Sequence, residues 1–277
     1  MQENEYTQKQ YDPTGRPVEP TFGQKIKKFL GPIGVALVVF FKFLAKFKFL
    51  LPFLKTGLTM LLSIGAYAMF WGWQFAVGFV LLIFIHECGH LIAAKMVGLK
   101  VTTPAFIPFV GALITLKEAP PNAWIEAQVG IGGPLLGTVG AGICEGIYSL
   151  TGNPLFRALA YTGFFLNLFN LMPVGILDGG RIVTALSPWL WIVGFLILVS
   201  YTITSIYTGH FNFLLLVIIV LSLPRLFSLF RRKSEAEQRY YEVTPGQRAG
   251  MAMMYFGLIL LLVLAMEMTH IPREALQ

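Results

Sequence analysis

The stretch Leu81-Leu82-Ile83-Phe84-Ile85-His86-Glu87-Cys88-Gly89-His90-Leu91-Ile92-Ala93-Ala94 places two histidines and a glutamate inside a continuous apolar run. Ionisable groups in such a setting are costly to desolvate, so their presence needs a compensating interaction. The H-E-x-x-H spacing provides one. At about 100° per residue, His86 and His90 are about 400° apart and share one helix face. Both imidazoles then reach a single metal ion, with Glu87 beside them to take a proton from water. With only four histidines in 277 residues, the pattern is rare by chance. Cys88 lies about 200° around the helix from His86, which turns it away from that face as a small apolar residue.

Composition agrees with a membrane setting. The chain is 56% hydrophobic and 13% charged, with a mean hydropathy of +0.68. Those values exceed what a soluble core requires. The net charge of +7 raises the question of a nucleic-acid partner. Lys and Arg instead flank apolar segments, where they orient a membrane protein, and no nucleic acid is expected. The two cysteines, Cys88 and Cys144, form no disulfide framework.

Residues 1–21 are polar and contain Pro13, Pro17 and Pro20, the composition of a disordered tail without a cleavable signal peptide. Residues 22–55 interleave Phe and Leu with seven lysines and are expected to form a basic amphipathic segment at the membrane interface; a spanning helix there is the alternative. Spans follow at about 56–73, 75–97, 122–149, 154–173, 188–208, 211–230 and 249–268. The expected fold is thus an all-α polytopic membrane protein of about seven transmembrane helices plus the interfacial helix. A cytoplasmic N-terminus then leaves only Arg157 and Arg273 of the twenty-one basic residues on the far side, as the positive-inside rule demands. The cell membrane is the expected location. Residues 100–121 contain Val101-Thr102-Thr103 and Leu113-Ile114-Thr115-Leu116 around Pro104, Pro108 and Gly111. They read as a small β-hairpin-like segment near the site, whose edge could pair with an extended substrate, or as an ordinary cytoplasmic loop.

A catalytic zinc takes three protein ligands and leaves a position open. His210 and His270 fall on the non-cytoplasmic side, and Asp12 lies in the tail. Asp178 is the remaining aspartate. It follows the helix-breaking Pro173 on the cytoplasmic side, beside Gly179 and Gly180. Glu126, at the start of the third span, is the competing ligand.

Taken together, these residues resemble the site-2 protease family of intramembrane zinc metalloproteases. The resemblance rests on His86-Glu87-Cys88-Gly89-His90, on Leu177-Asp178-Gly179, on Asn170 within Phe169-Asn170-Leu171-Met172-Pro173, on Gly132-Gly133-Pro134, and on the β-like segment 101–116. It covers about 75–185. It implies that His86, His90 and Asp178 bind Zn2+, that Glu87 is the general base, and that Asn170 hydrogen-bonds the substrate or the developing oxyanion. It also implies cleavage of transmembrane protein substrates within or near the bilayer on the cytoplasmic side. The core is placed at 56–185, with additional helices and a basic cytoplasmic linker in 186–277. No stretch accommodates the PDZ domain of some members, and no nucleotide-sensing domain is seen, so substrate choice is expected to rest on membrane helices or partners. The sequence leaves the oligomeric state open. The competing readings are a metal-binding membrane transporter and a homologue that binds substrates without cutting them. Gly133, Gly137, Gly142 and Gly146 read as helix-packing positions. Asn167 reads as a hydrogen bond between spans, and Glu145 as a helix-packing or polar pore contact.

Overall fold

The computed structural model describes residues 51–270 except Val110 and Lys233, together with Gly31 and Gly34. The readings of 1–21 as a tail and of 22–50 as an interfacial segment lie outside the described residues. Apart from Leu51, everything below belongs to the compact unit Pro52–Gln277.

Apolar composition and local capping account for the helices. α1 (Leu51–Trp71) and α2 (Trp73–Met96) are joined at Gly72, whose φ of 78° lies where side chains are disfavoured. That single residue reverses the chain between two long apolar helices. α2 ends at Gly98, also at φ 78°, with the Leu99 amide donating back to the Ala94 carbonyl. Asn122 caps α3 (Ala123–Thr151) by accepting from the Ile125 amide. The turn into α4 (Pro154–Asn170) uses Gly152 in the left-handed region, Asn153 as cap and Pro154 at the first helical position. Pro173 prevents α4 from continuing. A tight loop follows, and α5 (Asp178–Leu186) begins at Asp178 itself. α6 (Leu190–Tyr207), α7 (Phe213–Ser228), the short α8 (Glu235–Tyr240) and α9 (Pro245–Thr269) complete the described chain.

Among the described residues, five helices are long and apolar enough to cross a membrane: α1 from Pro52, α2, α3, α6 and α9. The segments expected as spans near 154–173 and 211–230 form α4 and α7, of 17 and 16 residues. Residues 51–55, expected in the interfacial segment, form the first turn of α1. Half of the apolar stretch of α2 and of α3 is buried inside the protein, against 17–22% for α1, α6 and α9. The central pair therefore carries the site, and the outer helices present Leu, Ile, Val and Phe outward, as a hydrocarbon environment permits.

The segment after α2 does contain a hairpin, but its ladder sits nearer the turn than expected. β1 (Ala105–Ile107) pairs antiparallel with β2 (Gly111–Leu113), Phe106 opposite Ala112, and only a single bridge joins Val101 to Leu116. Pro104, which lacks an amide proton, interrupts the ladder between them. β1 is covered by α1: the Phe106 amide donates to Thr59 Oγ1 at 3.2 Å, and the Thr56 hydroxyl donates to the Pro104 carbonyl at 2.6 Å. Tyr67 Oη accepts from the Phe109 amide at 3.1 Å.

Three apolar clusters hold the assembly. One joins α3, α4, α5 and α9 through Ile131, Phe164, Ile182, Tyr255 and Leu262. A second joins α1, α2, the hairpin and α4 through Tyr67, Phe79, Phe106 and Leu159. A third packs Val174 and Leu177, just before Asp178, against Leu198, Leu215 and Ile218. The elements beyond residue 186, which carried no recognisable motif, thus support the loop that delivers Asp178.

Candidate metal centre

α2 buries His86, Glu87 and His90 on one face, as the four-residue spacing requires. α3 crosses that face at a glycine-lined contact. A Cβ on Gly89 would overlap the Gly132 carbonyl, and one on Gly132 would come within 2.6 Å of both Ala93 Cβ and the Gly89 carbonyl. α5 brings Asp178 in from the third side. Gly179 and Gly180 make this possible, since a Cβ on either would strike the carbonyls of Leu171, Met172 or Val174 in the preceding loop.

The three donors converge closely. His86 Nε2 and His90 Nε2 are 3.1 Å apart, and each is 3.1 Å from Asp178 Oδ2. The outer ring nitrogens define the proton positions. His86 Nδ1 lies 2.8 Å from Asn167 Oδ1, while Asn167 Nδ2 donates to the Gly163 carbonyl at 2.7 Å, which orients the amide. His90 Nδ1 lies 2.8 Å from the Val129 carbonyl. Both partners are acceptors, so each ring donates from Nδ1 and turns an Nε2 lone pair inward. Two lone pairs and a carboxylate oxygen then face one another in a buried space, an arrangement that repels itself unless a cation lies among them.

The spacing suits such an ion. Ligand distances of about 2.0–2.1 Å in a tetrahedral site correspond to donor separations of about 3.3 Å. His86, His90 and Asp178 are the group of buried ligands that could hold a metal among the described residues. Two histidines and a carboxylate, each histidine hydrogen-bonded to a carbonyl oxygen, are a donor set that fits zinc.

Glu87 is buried beside the triangle and interacts electrostatically with His90, His86, Asp178 and Arg181. Arg181 Nη1 lies 3.9 Å from the other oxygen of Asp178, Oδ1. Asn170 is placed differently from the histidine partners: its amide donates to the Leu166 carbonyl of its own helix at 3.0 Å. The hydrogen bond between spans expected of Asn167 lands on His86. Glu126, the competing ligand, is engaged elsewhere. It pairs with the Arg225 guanidinium and accepts from Tyr240 Oη at 2.7 Å. Burial, and then the Glu126 carboxylate, hold Tyr240 well above the usual tyrosine range, so it remains a proton donor. Cys88 takes no part in the cluster.

Two of the glycines expected to pack helices touch the site itself. A Cβ on Gly133 would overlap His90 Nε2 and lie 2.8 Å from His86 Nε2, and one on Gly137 would overlap Asn167 Oδ1. These glycines admit the histidine and asparagine side chains. Gly142 and Gly146, grouped with them as packing positions, would meet nothing within 4 Å. The adjacent Pro134 was the available signal, since it offers no amide to the Gly130 carbonyl and marks this turn as unusual.

Comparison with known proteins covers part of this site. Residues 74–161 match the model of peptidase family M50. A zinc metalloprotease of Methanocaldococcus jannaschii is 34% identical over 131 residues, 45% of this chain. The chain spans 37% of the length of that relative. The M50 match contains nearly all of α2, all of α3 and the first half of α4, hence both histidines, Glu87 and Gly133, and it stops short of Asn167 and Asp178.

Proposed function

We propose that this chain is a zinc endopeptidase that cuts membrane-spanning proteins within or near the bilayer, on the cytoplasmic side. The observation that carries the reading is the buried triangle of three electron-pair donors with a glutamate beside it. His86, His90 and Asp178 hold zinc, which when bound polarises the scissile carbonyl and makes water a better nucleophile at neutral pH. Glu87 takes a proton from the attacking water on its carboxylate and passes it to the leaving nitrogen. Among the described residues no hydrogen bond engages that carboxylate, which leaves it free for water. Asn170 hydrogen-bonds the substrate backbone or the developing oxyanion.

The substrate must unwind locally, because a helical peptide bond is shielded by its own hydrogen bonds. The hairpin provides a place for the extended segment. Phe106 turns its amide toward α1, so Ala112 opposite it turns its backbone groups to the other edge, where no described residue hydrogen-bonds with them. Seven membrane passes from a cytoplasmic N-terminus, counting the shorter α4 and α7, complete the proposal, with membrane proteins as substrates and the cell membrane as the site of action.

Cleavage of a membrane-spanning reporter by the purified protein tests it. The parent chain should cut, a chelator should stop the reaction, and zinc should restore it. Glu87→Gln should retain zinc while cleavage falls by about 10² to 10⁴, the range for loss of a general base. A parent that binds zinc but never cuts would favour the non-cleaving reading, and metal flux without cleavage the transporter. Normal turnover by Glu87→Gln would remove Glu87 from its role.

A further inference from the structure

Arg225, in the last turn of α7, stands outside the residues that match the M50 model and outside every motif in the sequence. Its guanidinium nevertheless reaches the loop that carries Asp178. Nη1 donates to the Gly175 carbonyl at 2.7 Å, three residues before the aspartate. Nη2 pairs with Glu126 at the start of α3. The guanidinium carbon lies over the Trp191 ring, 5.2 Å from its centroid, and Trp191 Nε1 donates to the Gly180 carbonyl at 2.8 Å, two residues after the aspartate. The backbone is thus held on both sides of Asp178, and the arginine connects the two attachments. Gly175 permits the approach, since a Cβ there would stand 3.1 Å from Arg225 Cβ. Glu126 is in turn fixed through Tyr240 of α8.

We propose that Arg225 is a positioning residue for Asp178, clamping the loop so that the carboxylate meets His86 and His90 at the metal centre. The inference rests on the proposed zinc site. Arginine suits the task because its planar fork serves two acceptors in fixed directions while its face stacks on an aromatic ring; lysine, a compact point charge, cannot do all three together. Groups that orient a metal ligand typically alter metal affinity or activity by about 10–100-fold when removed.

The test uses the purified full chain. Zinc affinity is measured by competition with a chelator, and the visible absorption of the Co2+-loaded protein reports ligand geometry. Arg225→Met, which keeps an apolar stem but lacks the guanidinium, should weaken zinc by about tenfold or more and change the Co2+ bands. Arg225→Lys, which leaves Glu126 a charged partner, should fall between the two. At saturating zinc, kcat should drop while KM for a membrane reporter stays at the parent value. Folded variants with parental zinc affinity and parental Co2+ bands would overturn the clamp. Should both fail to fold, Trp191→Phe decides: weakened zinc supports it and parental zinc overturns it. A parent chain whose zinc survives Asp178→Ala would overturn the zinc site itself, whatever the Arg225 variants do.

Discussion

At the scale of single residues, the proposed chemistry depends on small side chains as much as on ligands. Gly133 lies against both imidazoles, so Gly133→Ala inserts a methyl group where His90 Nε2 stands. Overpacking of this kind costs about 1–3 kcal/mol, and here the strain falls on a ligand. Zinc affinity and cleavage should both fall by about 10–100-fold, whereas Gly142→Ala, whose Cβ meets nothing, should behave as the parent. Equal zinc affinity in the two variants would show that the close approach is unimportant. The three converging donors were legible from sequence because spacing in α2 and scarcity of aspartate restrict the choice. Asn167, Gly133 and Arg225 were less legible. Each reaches partners far away in sequence, as in His86 to Asn167, 81 residues apart, and Gly175 to Arg225, 50 residues apart, and helix periodicity within one segment carries no information about which residues of another will face it. Asn170 drew attention by its motif, while Asn167, one turn earlier, holds the imidazole.

At the scale of elements, the hairpin shows where local rules reach and where they end. Pro104, Pro108 and Gly111 indicated a turn, and the turn is present. The register was displaced because Thr56 and Thr59 of α1 satisfy backbone groups of the first strand, a tertiary contact that strand propensity does not contain. The edge of β2 at Ala112 is the proposed seat of the substrate. Ala112→Pro removes the outward amide without removing a hydrogen bond to β1. Its KM for a membrane reporter should rise severalfold while zinc content stays constant. A parental KM would place substrate binding elsewhere. α4 and α7 illustrate a second difficulty. Hydropathy alone marked them as spans, yet α4 stops at Asn170 because Pro173 cannot continue a helix, and the loop after it belongs to the site.

At the scale of the whole molecule, polar contacts separate the two ends of the helices. Glu126, Arg225 and Tyr240 meet at one end. At the other, Arg157 pairs with Glu145 at 2.8 Å and donates to the Met268 carbonyl at 2.6 Å. Arg157 is one of two basic residues assigned to the far side by charge, so the proposed orientation puts the first end in the cytoplasm. A reporter fused after Gln277 should accordingly be exported; cytoplasmic activity there would break the seven-pass arrangement. The general membrane architecture was readable from apolar runs, because desolvation of the backbone leaves few alternatives to helices. How those helices assemble was not, since outward apolar residues and packed apolar residues look alike in a sequence. The central claim concerns the three donors that this assembly brings together. Its most direct measurement is the zinc content of the purified chain and its Asp178→Ala variant, with His210→Ala, on an exposed turn, as control. The account predicts about one zinc per chain in the parent and in His210→Ala, and its loss in Asp178→Ala. Full zinc occupancy in Asp178→Ala, or none in the parent, would contradict it.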